Sequence, residues 1–150
     1  MSKVRKRHKS LVQDFMTENP YVVAPETSLL DAYCLMFDKE VRRLPVVQGH
    51  TLVGIITLSD IQHSVPFLHG EVDIATNLEA AAGVVSDVMV TDPITVAPDD
   101  TIQEAAERMM DNQVSGLPVV DDDHLVGILT ESDIFKLVVN WWAEEEGNLP

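Results

Sequence analysis

The chain is written twice. Residues 14–61 align with residues 87–134 at a constant offset of 73 and without a gap, and about 22 of the 48 aligned positions are identical. The strongest matches are LPVV at 44–47 and 117–120, LVGI at 52–55 and 125–128, and TLSDI at 57–61 against TESDI at 130–134. Self-similarity at a fixed period sets the architecture before any local reading does. Each copy is about 60 residues long, too short to bury a robust core of its own. The two copies are therefore expected to complete one another, and a site in one should recur as a pseudo-symmetric twin in the other.

The repeat divides the 150 residues into a basic flexible tail (1–10), a first repeat (11–67), a connecting helix around LEAAAG (68–83) and a second repeat (84–150). The same elements are expected in each repeat. A short helical turn (11–16, 84–89) precedes a proline, Pro20 or Pro93, and then a β-rich YVVA or ITVA closed by Pro25 or Pro98. A helix follows. Thr101-Ile-Gln-Glu104 has capping-box spacing and Ser28-Leu-Leu-Asp31 a weaker version of it. Leu29, Ala32, Tyr33, Met36 and Phe37 recur at helical spacing, as do Ile102, Ala105, Met109 and Met110, and both stripes read as core. Next come two apolar strands, LPVV and LVGIIT or LVGILT, joined by a polar turn. Gly54 and Gly127 inside the second strand predict a bulge or a close approach by backbone or ligand. The closing helix opens at Ser-Asp, with Ser59 and Ser132 as the expected N-caps. Its first copy should break near Pro66, and its second should run from Asp133 to about Glu146.

Composition narrows the function. No apolar run approaches the roughly 18 residues of a membrane span, and no apolar stretch follows the basic N-terminus as in a secretory signal. The single cysteine, Cys34, excludes an internal disulfide and is expected as a buried, reduced thiol, consistent with a cytoplasmic protein. Charge is unevenly placed. Lys3, Arg5, Lys6, Arg7 and Lys9 stand in the first nine positions, and the rest of the chain sets 5 basic side chains against all 25 acidic ones. Such a body repels nucleic acid and anionic membranes, leaving only the tail for a phosphate backbone or an acidic partner. The five histidines show no metal-ligand spacing, and no nucleophile elbow, Walker or dinucleotide motif occurs. No catalytic and no metal-binding residue is expected. Trp141 and Trp142 near the end of the last helix suit either an interface or packing within the molecule.

Chemistry concentrates in one motif, GIITLSD at 54–60 and GILTESD at 127–133. It sets hydroxyls and a carboxylate at a strand end beside a helix N-terminus, where free backbone N–H groups favour an anion. A Thr or Ser hydroxyl can hydrogen-bond phosphate, and an Asp can accept both hydroxyls of a ribose. Taken alone, the same residues would simply cap a helix.

This paired order of helical turn, h-T-V-x-P, helix, h-P-V-V, h-h-G-h-h-T-x-S-D and helix resembles the CBS domain family, named after cystathionine β-synthase. The resemblance covers about residues 11–140 and implies a CBS pair, or Bateman module. Its implied fold class is α/β (α+β), with two tandem β-α-β-β-α repeats packed sheet to sheet. It implies clefts between the repeats for an adenosine compound: AMP, ADP, ATP, S-adenosylmethionine or NAD. Carried over, Asp60 and Asp133 are expected on ribose, and Thr57, Ser59, Thr130 and Ser132 near phosphate. The two residues before h-P-V are Arg42 and Arg43 in one repeat and Ser115 and Gly116 in the other. The arginines would neutralise a phosphate tail, and the second repeat has no basic residue there. The expectation is a regulatory ligand-sensing module, not an enzyme. It has no obligatory cofactor, forms a homodimer, and acts on a regulated enzyme or transporter. The alternatives are a structural dimerisation module with empty clefts and nucleic-acid contact through the basic tail.

Overall fold

The computed structural model describes residues 10–64 and 83–147. The basic tail, the break at Pro66 and nearly all of the connecting helix lie outside the described residues. The elements are α1 (Val12–Phe15), β1 (Thr17–Glu18), α2 (Leu29–Lys39), β2 (Arg43–Gln48), β3 (Thr51–Thr57), α3 (Leu58–Ser64), a 3-10 turn (Val85–Asp87), β4 (Val90–Thr91), α4 (Ile102–Asn112), β5 (Gly116–Asp121), β6 (His124–Thr130) and α5 (Glu131–Gly147).

The long helices start where capping chemistry places them. The Ser28 hydroxyl accepts from the Asp31 N–H at 3.0 Å and the Thr101 hydroxyl from the Glu104 N–H at 3.1 Å. These bonds satisfy backbone donors that the first helical turn leaves unpaired. Both helices end on a residue in the left-handed region, Glu40 (φ 55°) and Gln113 (φ 54°).

Two compact units form, and they are not simply the two repeats. One groups Asn19–Ile94 with Asp122–Leu125; the other groups residues up to Glu18 with Thr95–Asp121 and residues from Val126 on. The opening segment of each repeat thus belongs with the body of the other. In the first unit β2 pairs antiparallel with β3, and β3 with β4, which comes from the second repeat. In the second unit β6 pairs antiparallel with β1, from the first repeat, and also with β5. YVVA and ITVA contribute single parallel bridges, Val23 to Val46 and Val96 to Val119, rather than full strands.

The cores repeat at the same offset. The first unit buries Val23, Leu29, Ala32, Met36, Leu44, Val46, Ile56, Ile61 and Val85 as one cluster. The second buries Val12, Val96, Ile102, Ala105, Met109, Leu117, Val119 and Leu129. Two expectations are corrected here. The apolar stripes are narrower than read, because Phe37 and Met110 are 79% and 78% exposed. Each lies next to the buried Met36 or Met109 in sequence, a rotation of about 100° away from the core. Cys34 is exposed, not buried, for the same geometric reason: it is two residues from both Ala32 and Met36 and so faces away from them.

The glycines in β3 and β6 are accounted for by backbone, not ligand. A Cβ on Gly54 would stand 2.9 Å from the Val90 carbonyl oxygen and 2.7 Å from Met89 Sδ. A Cβ on Gly127 would stand 2.9 Å from the Thr17 carbonyl oxygen and 2.6 Å from Met16 Sδ. Each glycine admits the two-residue strand that arrives from the other repeat.

Candidate functional site

Each T-x-S-D turn is built as a strand running directly into a helix, β3 into α3 and β6 into α5. In the first unit the Thr57 hydroxyl accepts from the Asp60 N–H at 3.1 Å, and Asp60 Oδ2 accepts from the Thr57 N–H at 3.0 Å. This is a reciprocal capping box. Thr57, not Ser59, is therefore the capping residue, and Ser59 lies within the first turn of α3. In the second unit Thr130 also stands directly before the helix, but its hydroxyl turns to the Asp133 carboxylate. Asp133 Oδ2 accepts from the Thr130 N–H at 2.9 Å and from its hydroxyl at 3.2 Å. Ser132 likewise lies inside α5 rather than capping it.

Two motif hydroxyls are exposed, on Ser59 and Ser132, while Thr57, Asp60, Thr130 and Asp133 are half-buried. Ser59 meets His63 one turn further along α3. His63 Nδ1 lies 2.7 Å from the Ser59 carbonyl oxygen, to which it donates, and 3.3 Å from the Ser59 hydroxyl.

The residues preceding LPVV are brought to the same place. Arg43 stands directly opposite Thr57 in the β2–β3 ladder, and the Leu58 N–H donates to the Arg42 carbonyl at 2.8 Å. Directly opposed residues have Cβ atoms about 4.5–5.5 Å apart, so the Arg-Arg pair and the hydroxyl-carboxylate turn form one local constellation. Arg42 is exposed and Arg43 half-buried. The second unit repeats the bond, with the Glu131 N–H donating to the Ser115 carbonyl at 3.0 Å. There the adjoining residues are a half-buried Ser115 and a buried Gly116. The structure thus groups Arg42, Arg43, Thr57, Ser59 and Asp60, and separately Ser115, Gly116, Thr130, Ser132 and Asp133. The first group carries two permanent positive charges and the second none.

The sequence reading named Ser59 and Ser132 as the N-caps, a position that Thr57 and Thr130 hold, and missed His63 as the neighbour of Ser59. The first signal was available, since Thr57-x-x-Asp60 has the spacing that identified Ser28 and Thr101. The second was a Ser and a His four residues apart on one helix, which share a face.

Among the described residues no helix is long and apolar enough to cross a membrane. The CBS domain profile matches residues 12–66 and 85–140. Inosine-5'-monophosphate dehydrogenase of Korarchaeum cryptofilum is 35% identical over 153 residues, covering 99% of this chain; the chain spans 28% of that protein's length. The crystal structure of Arabidopsis thaliana CBSX2 in complex with AMP is 32% identical, with a TM-score of 0.72 over 87% of this chain and 97% of that one. The CBS domain pair of the protein MJ0100, solved with 5'-methylthioadenosine and S-adenosyl-L-methionine, is 29% identical with a TM-score of 0.71, over 87% of this chain and 97% of that one. With two profile matches in register with its two repeats, and a fold shared with solved CBS pairs, the chain belongs to the CBS domain family.

Proposed function

We propose that this chain is a regulatory module that senses an adenosine compound at its two T-x-S-D turns. The observation that carries the reading is the local constellation itself, present twice: hydroxyls and a carboxylate at a strand-helix junction, bonded to the residues preceding LPVV. Support comes from two relatives solved with adenosine ligands, AMP in one and S-adenosyl-L-methionine with 5'-methylthioadenosine in the other. In this reading Asp60 and Asp133 accept from ribose hydroxyls, and Ser59 and Ser132 reach phosphate. The molecule works by binding, not catalysis, in the cytoplasm. The ligand shifts the population of conformations through its differential affinity, and a regulated enzyme or transporter reads the shift.

The two sites should not be equal. Guanidinium groups hold phosphate through paired, charge-assisted hydrogen bonds, which Ser115 and Gly116 cannot reproduce. The first-repeat site is expected to prefer the more phosphorylated nucleotide. A thermal-shift panel of AMP, ADP, ATP, NAD and S-adenosylmethionine identifies the ligand, and calorimetry on Arg42→Ala/Arg43→Ala tests the site. Affinity for ATP or ADP should fall by about 1.5–3 kcal/mol and affinity for adenosine by much less. Equal losses for all three would assign the arginines to structure and overturn the preference.

A homodimer is the second part of the reading, favoured by one observation. The helix α5 buries none of its 17 residues and leaves Phe135, Val139, Trp141 and Trp142 exposed. If the dimer forms and no adenosine ligand raises the melting temperature, a structural dimerisation module replaces sensing. Salt-sensitive DNA retention lost with residues 1–9 would indicate nucleic-acid contact instead.

A further inference from the structure

We propose that His50 and His124 form a binding site for a divalent transition-metal ion of the zinc, nickel and copper class. They are far apart in sequence, one before β3 and one opening β6, so no spacing motif announces them. They meet at the tips of two hairpins, within the unit that includes Asp122–Leu125. There Thr51 pairs antiparallel with His124. The Leu125 N–H donates to the His50 carbonyl at 3.1 Å and the Leu52 N–H to the Asp123 carbonyl at 3.4 Å. Backbone bonds therefore fix the positions from which both imidazoles project. The rings lie edge to face, with centroids 6.2 Å apart and planes at 72°.

That separation suits a shared ion. An imidazole nitrogen sits about 2.0–2.1 Å from zinc, which puts the ring centre about 3 Å away, so two rings on one ion have centres roughly 5–6 Å apart. Both side chains are exposed, and a small rotation closes the difference. Neutral imidazole selects zinc, nickel and copper over magnesium and calcium, which take oxygen ligands. The neighbouring Asp121, Asp122 and Asp123 and the acidic body favour a cation and oppose an anion. Among the described residues no group of three or more His, Cys, Asp or Glu could hold a metal. The protein thus supplies two nitrogens, and water completes the sphere. A site with so few protein ligands exchanges its ion, unlike a closed four-ligand structural site. Its effect is to tie the two hairpin tips together.

The test is calorimetry with nickel chloride alone on the full, tag-free chain at neutral pH, with melting curves in parallel. One saturable site per chain is expected, with a metal-dependent rise in melting temperature. Affinity should fall at least tenfold in His50→Gln and equally in His124→Gln. It should persist when His8, His63 and His69 are all replaced by Gln. Circular dichroism confirms that each variant is folded. Undiminished binding in either single variant, loss in the triple variant, or no saturable binding at all would overturn the proposal.

Discussion

At the scale of single residues, Asp60 is asked for two things at once. One carboxylate oxygen, Oδ2, takes the Thr57 N–H and so closes the capping box; the proposed ribose contact needs the group as well. The two demands separate by substitution. Asp60→Ala should cost about 0.5–2 kcal/mol of stability, the worth of a lost cap. Asp60→Asn keeps an oxygen that can accept the backbone N–H, so it should unfold near the native denaturant midpoint while still losing ligand affinity. If the two variants prove equally unstable in urea, the cap depends on charge and this division is wrong. Gly54 and Gly127 make a sharper demand. A methyl group at either meets a carbonyl oxygen at 2.9 Å, and strand backbone cannot step aside as a side chain tip can. Gly54→Ala and Gly127→Ala should each lower stability by about 1–3 kcal/mol, read from urea melts, and a native midpoint in either would mean the short strands give way freely. How the site reads from sequence follows the same residues. The residues that motif and repeat singled out do lie together at each turn, but the capping role went to Ser59 because three hydroxyl and carboxylate residues crowd four positions.

At the scale of elements, periodicity served the helices well and the shortest strands not at all. The starts of α2 and α4 were legible because side-chain caps and apolar spacing agree there. β1 and β4 are two residues each and exposed, so neither alternation nor propensity marks them; pairing with β6 and β3 creates them. The last helix was legible in extent but not in environment. Phe135, Val139 and Trp142 follow one another at i, i+4 and i+7, a helical face with large apolar groups at 64%, 58% and 57% exposure. Such a face is expected to be covered in solution. Light scattering at micromolar concentration should return twice the 16.6 kDa chain mass. Val139→Asp with Trp142→Glu should return the single mass with helical content unchanged. A native protein that runs as a monomer would remove the dimer from the functional reading.

At the scale of the whole molecule, the repeat in the sequence and the unit in space are offset from each other. Val85 fills the first unit's core and Val12 the second's, each supplied by the opposite repeat. A fragment ending at residue 67 keeps α2, β2 and β3 but loses β4, Met89 and Val85. Its β3 becomes an open, apolar edge beside a glycine, the kind of strand that seeks another chain. Such a fragment should be unfolded or self-associated by circular dichroism and light scattering, whereas a cooperative monomeric melt would contradict the exchange.

The exchange also imposes a rule of parity. A lone copy of the repeat has one slot it cannot fill and one strand it cannot place. Two copies settle both accounts, and a third would reopen them. Growth of such a chain by duplication must therefore proceed by twos, or recruit its missing half from a neighbouring molecule.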